Sequence, residues 1–268
     1  MALLKLFLRE FWLFGLKQAS ACLFGGSFLA LILATRFYDP AQPWLSRYDF
    51  LVFAAFGIQG LLLVLKLETW EEAAVIAVFH LVGTIMEIYK TTVGSWTYPE
   101  ASVLKIGLVP LFSGFLYSAV GSYIAQAARL FDFHYSAYPR MRWTLLLAGL
   151  IYVNFFTHHF LPDIRLALFA WIAWLFRNTQ VYFTVDRERR SMPLLLGFFL
   201  VALFIWIAEN IGSFSQVWIY PNQHRGFALV SFGKLGAWYL LMIVSFVLVS
   251  LVHRPVLLRR PLSKLIAG

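Results

Sequence analysis

The chain has 268 residues, of which 61% are hydrophobic and only 13% charged, with a formal net charge of +9 and a mean hydropathy of +0.75. A soluble domain carries about 25% charged residues, so this composition excludes an ordinary soluble fold and leaves a polytopic membrane protein. No basic stripe lies in the polar, groove-fitting context a nucleic-acid binder needs, so the positive balance points to basic loops at a membrane surface.

Residues 1–17 place Leu3, Leu4, Phe7, Leu8, Phe11 and Phe14 at helical spacing, with Lys5, Arg9 and Lys17 elsewhere. That pattern predicts an amphipathic helix lying in the interface. Cys22 is the one cysteine, which excludes an intramolecular disulfide. Its Ala19-Ser20-Ala21-Cys22 setting resembles a lipoprotein cleavage site, but the apolar stretch before it is short and Lys17 is too close.

Apolar runs of bilayer length then predict eight transmembrane helices, over 18–36, 49–66, 73–90, 106–128, 143–160, 164–183, 194–212 and 228–252. The expected fold class is an all-α transmembrane helical bundle. With the N-terminus inside, inner segments hold Lys5, Arg9, Lys17, Lys66, Arg129, Arg140, Arg142, Arg187, Arg189, Arg190, Arg254, Arg259, Arg260 and Lys264. The outer side holds Arg36, Arg47, Lys90, Lys105, Arg165, Arg225 and Lys234. This bias predicts both termini on the cytoplasmic side.

One pattern occurs twice. Glu87 precedes Trp96, Tyr98 and Pro99 as E-x8-W-x-Y-P, and Glu209 precedes Trp218, Tyr220 and Pro221 at the same spacing. The offset is 122 residues, and it maps spans one to four onto spans five to eight. An even number of helices per unit makes the two repeats parallel. The expected organisation is 1–17 interfacial helix, 18–132 first four-helix repeat, 133–254 second repeat and 255–268 basic tail.

Carboxylates at membrane depth are costly, so Glu87 and Glu209 are the first candidates for function. His80, Thr84 and Glu87 share a helix face, and Ala202 stands opposite His80 in the other copy. His80 serves either as a catalytic partner or as a core histidine bonded to backbone or to Thr84. Glu87, Glu209 and His80 are the catalytic candidates. Trp96, Tyr98, Trp218, Tyr220, Asn154, His158, Lys90, Asn210 and Lys234 are the substrate-binding candidates. Aromatic residues also form interfacial belts without binding anything, and a Glu–Lys90 or Glu–Lys234 pair could simply lock helices. His158-His159 and Asp163 show none of the spacings of a metal site, so neither metal nor cofactor is expected.

The run Glu87 through Tyr98-Pro99-Glu100, Gly107-Leu108-Val109-Pro110, Asn154 through Asp163 and Glu209 through Asn222 resembles the YoaT-like family of bacterial integral membrane proteins. With the basic-loop bias, that resemblance implies a multi-pass protein of the cell inner membrane. More loosely, a helix-terminal Glu, an aromatic loop and a following Val109-Pro110 are similar to membrane carotenoid hydratases and cyclases. Two functions follow as expectations. One is an enzyme using paired Glu side chains for acid–base chemistry on an isoprenoid or other apolar lipid, in a pocket open to the outer leaflet. The other is a small-molecule or lipid permease, or a non-catalytic helper of another membrane protein. Expected partners are membrane lipids and an apolar small-molecule ligand.

Overall fold

The computed structural model describes residues 2–38 and 44–252. The expected basic tail, 255–268, lies outside them. Helices dominate: α1 (Ala2–Ala21), α2 (Leu23–Ala34), α3 (Arg47–Val64), α4 (Trp70–Thr92), α5 (Phe112–Leu130), α6 (Met141–Thr157), α7 (Arg165–Phe176), α8 (Leu194–Phe214) and α9 (Phe232–Val252). Among the described residues α3, α4, α8 and α9 are long and apolar enough to cross a membrane, and α1 with α2 would make a fifth span if taken as one bent crossing. The protein is therefore a helical membrane protein.

Three predicted spans differ from the structure, each for a local reason. The first, 18–36, begins only at Leu23, because the amphipathic helix continues to Ala21. The fourth begins at Phe112. Residues 105–110 instead form a small hairpin, β1 (Lys105–Ile106) with β2 (Val109–Pro110), and Gly107 takes φ +60° in its turn. The sixth ends at Phe176, short of the predicted 183. Beyond it Val181-Tyr182-Phe183-Thr184 is β-branched and aromatic, and this favours a pleated strand over a helix. An all-α bundle thus needs amending by a three-stranded antiparallel sheet of β3 (His134–Ser136), β4 (Gln180–Thr184) and β5 (Arg189–Pro193).

The chain forms two compact units. Among the described residues the first contains 2–21, 124–203 and 235–252. Here α1 is tied to the β4–β5 hairpin. Arg9 meets Asp186 at 2.9 Å, Arg190 meets Glu10 at 2.7 Å, and the Lys17 ammonium donates to the Thr184 carbonyl at 2.9 Å. Tyr135, Tyr138, Phe176, Phe198 and Phe246 form its aromatic core by ring contacts of 5.1–6.1 Å.

The second unit contains, among the described residues, 22–38, 44–123 and 204–234. Its core gathers Phe24, Phe28 and Ile32 of α2, Tyr48, Leu51 and Ala55 of α3, Ile76 of α4, and Phe112 and Phe115 of α5. Trp96, Val217, Trp218 and Tyr220 join the same core from two loops. The helices begin where their caps dictate. Ser46 caps α3 by accepting from the Asp49 amide, and Thr69 with Glu72 forms a reciprocal capping box on α4.

Candidate functional site

All of the E-x8-W-x-Y-P residues fall in the second unit. Glu87 lies one turn before the end of α4 and is 3% exposed. The loop after α4 folds back over it. Trp96 Nε1 and the Tyr98 hydroxyl both donate to Glu87 Oε2 at 2.8 Å. The Tyr117 hydroxyl donates to Oε1 at 2.9 Å from α5. Three donors on one buried carboxylate satisfy what burial would otherwise leave costly.

Glu209 repeats part of this arrangement near the end of α8. It is 6% exposed, and the Tyr220 hydroxyl of its own loop donates to Oε1. The second tryptophan is used differently, since the Trp218 ring packs directly on Gly212, where no Cβ would fit. Burial, then the charge of the neighbouring carboxylate, pushes the Tyr98 and Tyr220 phenols well above their ordinary value. Both stay protonated donors at physiological pH.

The two loops meet. Thr97 and Ile219 form an antiparallel bridge, with Thr97 N–H on the Ile219 carbonyl at 3.0 Å and Ile219 N–H on the Thr97 carbonyl at 2.9 Å. The Trp96 and Tyr220 rings stand edge to face, 6.0 Å apart. The Lys234 ammonium lies over both, 4.3 Å from the Trp96 centroid and 4.5 Å from that of Tyr220. Sequence reasoning left open whether the two glutamates share a neighbourhood; the Thr97–Ile219 bridge and the Trp96–Tyr220 ring contact bring their two loops together.

A ring of polar contacts fixes the loops from below. The guanidinium of Arg47, 6% exposed, donates to Glu100 at 2.9 Å, to Thr35 Oγ1 at 3.0 Å and to the Ser215 carbonyl at 2.9 Å. The Tyr48 hydroxyl donates to the Val217 carbonyl at 2.8 Å. Asp49 accepts from the Val103 and Leu104 amides and from Ser102. Tyr117, Arg47, Tyr48 and Asp49 are the site residues the sequence reading missed. For Arg47, Tyr48 and Asp49 a signal was present, an Arg-Tyr-Asp run immediately after the Ser46 cap at the head of an apolar helix.

The remaining candidates take other places. Asn210 braces the second loop, donating to the Trp206 carbonyl at 2.8 Å and accepting from the Val230 amide at 2.9 Å. Lys90 is buried at 4% exposure, one turn beyond Glu87 on α4. Asn154 and His158 belong to the first unit. There Asn154 Nδ2 donates to Asp163 at 3.1 Å, its Oδ1 accepts from the Ile164 amide at 3.1 Å, and His158 Nδ1 meets the Asn154 carbonyl at 2.9 Å. In the structure they brace the α6–α7 turn. Among the described residues no group of three or more His, Cys, Asp or Glu has the spacing to hold a metal ion.

Polar residues continue along α4 and α5 away from the loops. The Thr84 hydroxyl donates to the His80 carbonyl at 2.7 Å, and a Cβ on Gly114 would collide with Thr84 Oγ1 and the His80 ring. The His80 ring lies tilted against Phe115 with centroids 4.4 Å apart, and its Nδ1 is buried with no hydrogen-bond partner. Ser118 donates to the Ile76 carbonyl at 2.8 Å, and Ser122 donates to Glu68 at 2.6 Å. Gln59 Nε2 also donates to Glu68 at 2.6 Å, leaving Gln59 Oε1 buried and unpartnered.

Similarity to known proteins extends over most of the chain. It is 43% identical over 237 residues to the Bacillus subtilis (strain 168) protein described as "Uncharacterized protein YoaT", covering 88% of this chain and 89% of that protein. Among solved structures it is similar to the mycobacterial Insig homolog MvINS from Mycobacterium vanbaalenii, at 16% identity and a TM-score of 0.48. That match covers 72% of this chain and 97% of that one. A cross-linked MvINS trimer matches with the same TM-score at 15% identity. The family model "Protein of unknown function (DUF817)" matches residues 10–246, and the chain belongs to that family.

Proposed function

We propose that this protein is an eight-span, multi-pass protein of the cell inner membrane whose working centre is the Glu87–Lys234–Glu209 group. In this reading the centre opens toward the outer leaflet and performs acid–base chemistry on an apolar ligand. The observation that carries it is a pair of buried carboxylates, each held by a tyrosine of its own loop, with the Lys234 ammonium on the Trp96 and Tyr220 rings where those loops meet. Where two buried acids work as a pair, protonating one and ionising the other gives them separate roles. Trp96 and Tyr220 already accommodate a cation on their faces. The same faces suit an apolar ligand that carries or develops positive charge, such as an isoprenoid or a lipid-borne amine, at about 2 kcal/mol per desolvated cation–π contact.

A parallel duplication of four helices supports this reading. An offset of 122 residues carries α2, α3, α4 and α5 approximately onto α6, α7, α8 and α9. It also carries Thr97 onto Ile219, the two residues that bridge. The test is conversion of a membrane lipid extract by purified protein, followed by mass spectrometry. Wild type should change at least one component, and Glu87→Gln and Glu209→Gln should each abolish the change while remaining folded. Full activity of both variants, or no conversion by wild type, refutes the acid–base role. A permease is the second reading, favoured by the polar residues that continue down α4 and α5. Uptake of labelled ligand into proteoliposomes separates the two.

A further inference from the structure

We propose that the buried polar file of the second unit conducts protons from Glu87 through Thr84, His80 and Ser118 to Glu72 and Glu68. This goes beyond the acid–base centre and shares Glu87 and Tyr117 with it. The file runs along two helices: residues 72, 80, 84 and 87 lie along one side of α4, while Tyr117, Ser118 and Ser122 lie on α5. Its glutamates and small hydroxyls are buried, while His80 and Tyr117 are half-buried. Glu72, Ser118 and Ser122 are 0–1% exposed, and Thr84, Glu87 and Glu68 no more than 5%. Glu87 and Glu72 are fifteen residues apart on one helix, about 22 Å at 1.5 Å per residue. That distance is most of a hydrocarbon core of about 30 Å.

Packing alone does not explain such a file. Apolar residues would fill an α4–α5 contact at lower cost, since each buried polar group must be satisfied. Two groups on this file are not satisfied by protein: His80 Nδ1, midway, and Gln59 Oε1, beside Glu68. An orphaned buried acceptor costs about 1–3 kcal/mol unless water meets it. Both orphans therefore mark positions where a water molecule completes the chain between hydroxyls and carboxyls. Gly114 keeps open the space that His80 and Thr84 occupy. The titratable groups along the route are Glu87, Tyr117, His80, Glu72 and Glu68. A proton entering at one end displaces one at the other, so each carrier is restored and no other reactant is consumed.

The test uses the full chain in phosphatidylcholine vesicles with an entrapped pH-sensitive dye. A potassium gradient and valinomycin drive the flux, and no lipid extract is added, so the result is independent of any ligand chemistry. Wild type should acidify or alkalinise the lumen at least tenfold faster than protein-free vesicles. His80→Ala should return the rate to background, and imidazole in the buffer should restore it. If His80→Ala does not reconstitute, His80→Gln replaces it and should also be at background. Wild-type flux at the protein-free rate, or a His80 variant conducting like wild type, overturns the proposal.

Discussion

Removing the Glu87 carboxylate in two different ways separates its charge from its hydrogen bonds. Glu87→Ala strands three donors, Trp96 Nε1 and the hydroxyls of Tyr98 and Tyr117. At about 1–3 kcal/mol for each unsatisfied buried group, the loss is about 3–9 kcal/mol before any cavity is counted. That approaches the whole stability of an ordinary domain, about 5–15 kcal/mol. Glu87→Gln keeps a carbonyl oxygen for Trp96 and Tyr98, and the Tyr117 hydroxyl can rotate to accept from the amide. The loss is then only the difference between charge-assisted and neutral bonds, about 1 kcal/mol each, or about 3 kcal/mol. Thermal stability in detergent, read by size-exclusion after heating, should rank wild type above Glu87→Gln and Glu87→Gln well above Glu87→Ala. Acrylamide quenching should rise most in the Ala variant, as Trp96 loses its anchor. Equal stability of the Gln and Ala variants would refute the argument that this carboxylate organises the loop.

Other perturbations have equally direct outcomes. Gly114→Ala places a methyl against His80 and Thr84 and should destabilise by about 1–3 kcal/mol, measured by the same heating assay. Arg47→Lys loses the fork that joins Glu100, Thr35 and Ser215, and should make the loops around residues 100 and 215 markedly more sensitive to protease. The raised phenols of Tyr98 and Tyr220 contribute stability that is complete below the ordinary tyrosine value near 10 and declines as pH rises above it. Ultraviolet titration should show at least these phenols ionising only when the fold opens, and Tyr98→Phe should lessen the alkaline loss. Asp163 works in the opposite direction. Burial pushes it up, but bonds from Asn154 and Arg165 outweigh that and hold it below the ordinary carboxylate value. Its contribution is therefore present above about pH 4 and falls away in acid. Proteolysis of the α6–α7 turn should rise at low pH, and Asp163→Asn should show that susceptibility at neutral pH.

The glutamates and their aromatic loops were legible in sequence because two fixed spacings, nine and eleven residues after a Glu, survive folding intact. The same reading could not find Tyr117, which reaches Glu87 from thirty residues away and has no spacing signature. Arg47 was visible only as one outer-side charge. Its role depends on carbonyls and a carboxylate supplied by distant loops. Hydropathy also concealed the β4–β5 hairpin, because Val181, Tyr182 and Phe183 raise an average as a helix would. Asn154 and His158 were legible only as polar groups near a helix end. Their partners in the fold are Asp163, Ile164 and each other's backbone.

The Thr97–Ile219 bridge joins each copy of the pattern to the other at corresponding positions. A strap fastened at matching points cannot be loosened on one side alone: a shift that carries Tyr98 off Glu87 must pull on Ile219, and through it on Tyr220 and Glu209. The loops that hold the two glutamates are thereby mechanically yoked. A change selected in one loop will be felt by its counterpart, and the unequal furnishing of the two copies must have arisen without slackening that knot.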